Sequence, residues 1–400
     1  MKRYNRFVLE KNISVNMPLP EDIRRIARLF HNAGKDLFVV GGSIRDFLQG
    51  KTPHDYDIVT NAQPEETKQI LKGWHVSDEQ GKNFGVLRIF TNDEPLGYEL
   101  AVFRSDISNG RDVKGDDQKV EIGEHITIED DVKRRDFSIN SLFYDINKKV
   151  IVDLVGGVDD IKNGVIRAVG IPSERFNEDR LRILRCFRFA ARTNGKIDTL
   201  TSEAIRNDHR LRGIGSKDDV SQERIIEEIN KVFEHAEKDP SILQRYIDLL
   251  TEYNMWEQMF PGLNINTNVI VDVVSKPIVF FDLLKNENLR LKSKVLNKLT
   301  FPTDLVNKII FLQDYISKST VENVYKLALL KDRFHIDGGL ILDFVNKLKL
   351  DLNFAKSFIK YCEDGFVISG DDLKNQGFQL ADIGKEKERL EIERFKSDYM

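Results

Sequence analysis

Cysteine is almost missing from this chain. Of 400 residues only two are cysteines, Cys186 and Cys362. They lie far apart and without metal-ligand spacing, which argues against a disulfide scaffold or a zinc site and for reduced thiols in the cytoplasm. A long apolar run is missing too. No stretch reaches the roughly 18 residues needed to span a bilayer, so no membrane segment is expected. The first twenty residues, MKRYNRFVLEKNISVNMPLP, lack the apolar core of a secretory leader. Charge of one sign is also absent. There are 61 basic and 65 acidic residues for a net charge of −4, so any nucleic-acid contact must come from a local basic patch. No internal repeat or low-complexity tract stands out.

What is present is a foldable chain. Hydrophobic residues make up 40% and charged residues 32%, enough for a sizeable core. The length suggests two to three domains. Helical periodicity marks 22–33, with Gly34 as its stop. Strand patterns follow at 37–41, 55–60, 84–91, 97–103, 139–146 and 149–153, with helical patterns at 43–49 and 64–72. This mixture predicts an α+β region ending near residue 147. The polar segment 105–127 reads as a mobile loop. From about 175 onward helical patterns dominate, at 177–193, 201–208, 221–236, 241–252, 303–316, 321–331, 338–348 and 353–364. An all-α C-terminal region is therefore expected. Its charge-rich end, GKEKERLEIERFKSDYM, reads as a solvated helix or tail.

The chemistry concentrates near the N-terminus. An apolar strand, Phe38-Val39-Val40, runs into Gly41-Gly42, and a helix begins. A second strand then carries Asp55-Tyr56-Asp57. Side chains two apart on a strand share a face, so Asp55 and Asp57 present two carboxylates together. Hard oxygen ligands on a rigid element suit Mg²⁺ with substrate phosphates. Arg45 and Asp46 lie in the first turns of the helix after the glycines, where an anion is favoured. Glu99 is a lone acid in the apolar run Tyr98–Phe103 and suggests a third carboxylate. Arg134-Arg135-Asp136 and Asn140 couple arginine, suited to phosphate, with groups suited to ribose hydroxyls.

The segment 178–192, EDRLRILRCFRFAAR, is the richest. At about 100° per residue, Glu178, Arg182, Arg185 and Arg192 fall on one stripe. Asp179 lies near Arg182, and Arg188 flanks the stripe. Ile183, Leu184, Phe187, Ala190 and Ala191 form the opposite face. Five arginines without a lysine point to phosphate or base recognition rather than to a merely solvated face.

Taken in order, GGSIRD, DYDIVT, YELAVFR, RRDFSINSLFYD, DLVGGVDDIKNGVIRAVG and FNEDRLRILRCFRFAAR resemble the class II nucleotidyltransferase family of tRNA CCA-adding enzymes and bacterial poly(A) polymerases. SQERIIEEI at 221–229 is similar to the family's later helix-stabilising motif, and ISGDDLKNQGF at 368–378 fits its helical end. Ser141 stands where the family usually has alanine, and Arg180 where a small residue or proline is common. Neither is a catalytic position.

The resemblance implies a polymerase-β-like head at 1–147 with a mixed sheet. It also implies a helical nucleotide-recognition neck at 148–236 and a helical RNA-binding body and tail at 237–400. Asp55 and Asp57 would bind two Mg²⁺, with Glu99 as third catalytic carboxylate. Gly41, Gly42, Arg45 and Asp46 would serve the triphosphate, and Arg135, Asp136 and Asn140 the ribose or phosphate. Asp179 and Arg182 would read the base of CTP or ATP, supported by Arg185 and Arg188. A carboxylate accepts from the exocyclic amine of cytosine or adenine, and a guanidinium donates to the adjacent ring nitrogen. Uracil and guanine place an oxygen where the amine should be. The implied partner is tRNA, held at its acceptor end and elbow, with no obligatory protein partner evident. The expected reaction is CCA addition, favoured by the short, mixed-charge C-terminus and the full loop at 105–127. The alternatives are poly(A) addition, A-only addition, or a non-catalytic RNA-binding relative.

Overall fold

The computed structural model describes residues 11–53, 55–77, 85–92, 94–106, 120–123, 125–211, 220–290, 296 and 299–400. Its internal contacts divide the chain into two compact units, Met1–Val220 and Ser221–Met400.

The first unit is built on an eight-stranded mixed sheet. Its strands are β1 (Lys11–Ser14), β2 (Leu37–Val40), β3 (Asp57–Thr60), β4 (His75–Ser77), β5 (Val86–Phe90), β6 (Tyr98–Val102), and, after the hairpin β7 (Arg104–Asp106) and β8 (Val120–Ile122), β9 (Leu142–Asp145) and β10 (Val150–Asp153). The order across the sheet is β1-β10-β9-β2-β3-β6-β5-β4. Neighbours run antiparallel except β3 and β6, which pair in parallel with Ile58 opposite Leu100. The sheet thus takes in β10, past residue 147. β1 and β4 carry no strong strand signal in the sequence; each is an edge strand, held by its one neighbour.

Helix α1 (Glu21–Asn32) buries Ile23, Ile26, Ala27 and Phe30, the i, i+3, i+4, i+7 stripe of an amphipathic helix. Phe38, Val40, Val59, Phe103, Phe143 and Val132 form a shared core cluster. Val132 belongs to α4 (Ile128–Arg134), whose N-cap Thr127 and Asp130 make a reciprocal capping box. The expected strand at 139–146 begins instead with a 3₁₀ turn at Ser138–Asn140, and only Leu142–Asp145 is extended. The expected loop at 105–127 starts and ends as the β7–β8 hairpin; its middle, 107–119, lies outside the described residues.

After β10 the chain turns on a buried carboxylate. Asp153 accepts the backbone N–H groups of Val155, Gly156, Gly157 and Val158. This fixes the start of α5 (Gly157–Asn163). Gly157 is there because a Cβ would come within 2.2 Å of the Ser138 carbonyl oxygen. The expected single helix at 177–193 is two: α6 (Pro172–Glu178) and α7 (Leu181–Thr193). Asp179 is extended between them (φ −147°, ψ 106°). The Arg180 guanidinium holds the break by bonding Asn177 and Asp208.

Among its described residues the second unit forms helices joined by irregular segments, with no strand. Ser221 caps the helix Gln222–Ala236. Phe260, Phe280 and Phe301 meet with centroids 5.2 to 6.3 Å apart, and Tyr315, Phe344 and Phe358 continue the aromatic core. The chain end is a helix, Leu380–Asp398, but not simply a solvated one. Glu391 is fully buried and accepts from Tyr361 Oη, the Val367 and Ile368 N–H groups and Arg394. No described helix is long and apolar enough to cross a membrane.

Candidate active site

The sheet brings the carboxylates to one end. Val40 pairs with Asp57, so β2 leaves the sheet beside Asp57. The turn there needs φ +75°, ψ −130° at Gly41, a conformation closed to residues with a Cβ. Parallel pairing of β3 with β6 sets Glu99 next to Asp57. The strand begins at Asp57, and Asp55 lies just before it. Exposure still alternates: Asp55 and Asp57 face out while Tyr56 and Ile58 are buried.

These acids repel one another. Desolvation by surrounding protein, then Asp55, then Glu99, raise the Asp57 pKa to about 6, against an opposing pull from Arg135. Two hard carboxylates in mutual repulsion are a donor set that a divalent cation fits. Among the described residues no group of three or more His, Cys, Asp or Glu is arranged to hold a metal by itself. Mg²⁺ takes one or two carboxylates and completes its shell with water and phosphate. Glu99 is exposed, with Arg88 4.0 Å away across the strand pair.

Arg135 faces this group from behind a brace. Its Nε and Nη2 donate to Asp131 Oδ2 at 3.0 and 2.8 Å, and its guanidinium lies 4.7 Å from the Phe143 ring centroid. Asp131 is fully buried. It also accepts from Arg134 Nε at 2.8 Å and from the Arg104 N–H at 3.3 Å. Burial pushes Asp131 up, but Arg135 and Arg134 outweigh it and hold its carboxyl below the usual range. Asp131 is absent from the sequence-level site. Its only signal there is a run of three acids opening a helix, which reads as dipole complementation.

Arg45 is not an open phosphate ligand. It is 2% exposed, with Nη1 donating to Asn140 Oδ1 at 2.6 Å and Nη2 to Asp46 Oδ1 at 2.9 Å. Asp46 uses its other oxygen for Arg192 Nη2 at 2.9 Å. A Cβ at Gly42 would lie 3.3 Å from the Arg45 guanidinium, so this glycine makes room for the arginine as well as for the turn. Asn140 also reaches Asp136 Oδ1 at 3.4 Å. Asp136 Oδ2 receives Arg185 Nε at 2.9 Å and Nη2 at 2.5 Å. Burial raises the Asp136 carboxyl, but Arg185 and the Phe137 N–H more than reverse it. Arg188 is 6% exposed, against the Phe189 ring at 4.4 Å.

Asp179 and Arg182 sit at the α6–α7 break. Asp179 Oδ1 accepts the Leu181 N–H at 3.0 Å. Arg182 donates to Glu178 Oε2 at 2.8 Å and to the Arg175 and Arg134 carbonyls at 3.0 and 3.1 Å. The structure therefore links Arg182 to the α4 end that carries Arg134 and Arg135.

Residues 37–167 match the model of the poly A polymerase head domain. The matched span runs from β2 through α5 and takes in Asp46, Asp55, Asp57, Glu99, Asp131 and Asp136, but not Glu178 or Asp179. Among curated relatives, poly(A) polymerase I of Salmonella typhi is 30% identical over 283 residues, 69% of this chain and 57% of that protein. The CCA-adding enzyme of Ligilactobacillus salivarius is 40% identical over 200 residues, 49% of this chain and 47% of that one. The chain spans about half the length of the curated relatives it matches. Among solved structures, the Bacillus stearothermophilus CCA-adding enzyme in complex with CTP superposes with TM-score 0.68 at 18% identity, covering 95% of this chain and 94% of that one. A tRNA nucleotidyltransferase complexed with a primer tRNA and an incoming ATP analog gives TM-score 0.60 at 20% identity, covering 85% and 98%. At these identities the likeness is one of fold.

Proposed function

We propose that this protein is a template-independent nucleotidyltransferase that adds CCA to tRNA 3′ ends in the cytoplasm, using CTP and ATP. The observation that carries the transfer chemistry is the electrostatic coupling of Asp55, Asp57 and Glu99 beside the Gly41 turn, with Arg135 facing them. Asp55 and Asp57 would hold Mg²⁺, which when bound neutralises charge on the phosphates and on the attacking oxygen. Glu99 is placed to accept or orient a hydroxyl proton. Arg135, braced by Asp131, meets negative charge developing at the α-phosphate. Positioning does most of the remainder. The activity named for the relatives supports the same reading.

Base choice by Asp179 and Arg182 belongs to this proposal. The competing role for Asp179 is to cap α7 through Leu181. Asp179→Ala is expected to shrink discrimination of CTP over UTP by about ten- to a hundred-fold. That is the value of a charge-assisted hydrogen bond of about 1.5–3 kcal/mol. Incorporation of all four nucleotides, measured beside a melting curve, separates the roles. Lower stability with unchanged nucleotide ratios would leave Asp179 only a cap.

Acceptor choice is tested with three primers: tRNA ending before CCA, tRNA ending in CC, and an unrelated RNA. Additions of three and one nucleotides confined to the tRNAs are expected. Long A-tails on every primer would instead assign the poly(A) polymerase activity, which the longer alignment with poly(A) polymerase I keeps as the second reading.

A further inference from the structure

The sheet continues beyond the carboxylates. On one side of Asp57 stand β2, the Gly41 turn and α2 (Gly42–Leu48). On the other side lie β6, β5 and β4, in that order, to the sheet edge. Pairing there alternates. Leu87 is opposite Leu100 and Ile89 opposite Tyr98, all four buried. Arg88 is opposite Glu99, Ser77 opposite Arg88, and His75 opposite Phe90. These side chains share the other face of the sheet, which solvent reaches.

That face carries an aromatic pair. The His75 and Phe90 rings have centroids 4.7 Å apart and planes inclined by 30°. His75 is exposed and Phe90 half-buried. Beside Phe90 the chain leading into β6 is Gly97, where a Cβ would come 2.5 Å from Arg88 Cγ and 3.1 Å from Phe90 Cδ1. Glycine thus lets the Arg88 stem and the Phe90 ring lie together at that point. Leu96, just before it, is 77% exposed. Its carbonyl accepts from Arg88 Nη1 at 3.0 Å.

An edge strand of three residues gains from a cross-strand pair. That role asks for packing, not for aromatic rings open to water beside a cation and an exposed leucine. Unpaired RNA bases stack on such rings whatever their sequence, since every base has a π-face. Neighbouring strands are about 4.8 Å apart, so β5 and β4 lie roughly 10 and 14 Å from β3. A terminal nucleotide and the one before it span that distance when the 3′-hydroxyl is at Asp57 and Glu99.

We infer that His75 and Phe90 form a stacking platform for the last unpaired bases of the RNA primer, which lies across this sheet face toward Glu99. This rests on the nucleotidyltransferase reading above and names the primer side of that site. Arg88, 4.0 Å from Glu99, offsets part of the acidic charge that the primer backbone meets there.

The test uses the full chain and a tRNA ending in CC whose last base is replaced by 2-aminopurine, a base whose emission is quenched by stacking. Wild type, His75→Ala, Phe90→Leu and His75→Phe are compared by the emission of the bound tRNA, by KM for unlabelled tRNA and for ATP, and by melting. Bound to wild type, the base is expected to be quenched. His75→Ala and Phe90→Leu should each restore most of the emission and raise KM for the tRNA about ten-fold, with KM for ATP unchanged. His75→Phe, which keeps a ring, should behave as wild type. A pair that only holds β4 in place would lower the melting temperature and leave the emission and the ratio of the two KM values as they are; that result overturns the inference. His75 is exposed, so His75→Ala keeps the test intact even if Phe90→Leu fails to fold. If wild type transfers nucleotides to no RNA, the nucleotidyltransferase reading fails and the inference with it. If transfer is normal and the emission of every variant equals that of wild type, the inference alone fails.

Discussion

Asp57→Asn abolishes nucleotide transfer and stabilises the ligand-free protein above neutral pH; both results are expected from the same carboxylate. On the proposed reading Asp57 supplies a metal-binding oxygen, whose loss removes several kcal/mol of transition-state stabilisation, about a thousand-fold or more in rate. The stability gain follows from the raised pKa of about 6. In the unfolded chain the carboxyl ionises near its ordinary value, about 4. Below that pH it is neutral in both states and contributes nothing. As pH rises through 6 it ionises in the folded state as well, among Asp55 and Glu99, and destabilises the fold. Asparagine removes that repulsion. Because solvent reaches Asp57, screening reduces the gain to about 1 kcal/mol, or about 2–4 °C in melting temperature. Melting curves at pH 4.5 and 8 in chelator should show a gain at pH 8 that is much smaller at pH 4.5. Equal melting at both, with activity retained, would remove Asp57 from the site.

Asp131→Ala gives the largest stability loss expected of any single change near the site. The carboxylate is fully buried and bonded to Arg134 and Arg135, whose side chains are 16% and 14% exposed. Burial already lowers Arg134 to a pKa of about 10 despite Asp131. Removing one partner of such a cluster costs about 3–5 kcal/mol, because the others stay buried and unpaired. For a unit of this size that is a melting-temperature drop of about 6–20 °C. Arg135 also loses its anchor, so transfer should fall beyond what unfolding explains when assayed well below the midpoint. A drop under about 2 °C would mean that water reaches and satisfies both guanidinium groups.

The carboxylates and the glycine turn were legible because their signals are local. A strand ending in Gly41-Gly42 and an Asp-x-Asp two residues apart need no tertiary knowledge to read. Glu99 was legible as a charge in an apolar strand. Asp131 and Glu391 were not. Each sits among acids on an amphipathic helix, and only the neighbouring elements decide which acid turns inward. Arg45 was seen, but the sequence offered it to phosphate directly; the structure spends its donors on Asp46 and Asn140. The break at Asp179 escaped because apolar periodicity runs on through it. What interrupts the helix is the pull of Asp208, 28 residues away, on Arg180.

The single parallel pair in the sheet, β3 with β6, has a consequence for how the protein is made. Two parallel strands cannot be joined by a tight turn. The chain must first lay down α3 (Pro64–Ile70), β4 and β5 before β6 returns to β3. Closing that long loop costs entropy before any contact is gained, and the step brings Asp57 and Glu99 together against their mutual repulsion. Pairing at the acidic end of the sheet is therefore expected only after both strands have emerged from the ribosome. A nascent chain stalled short of residue 98 would carry the glycine turn and both aspartates yet hold no complete transfer site. Amide exchange at Val59 and Ala101, partners across this pair, should report when the site is born.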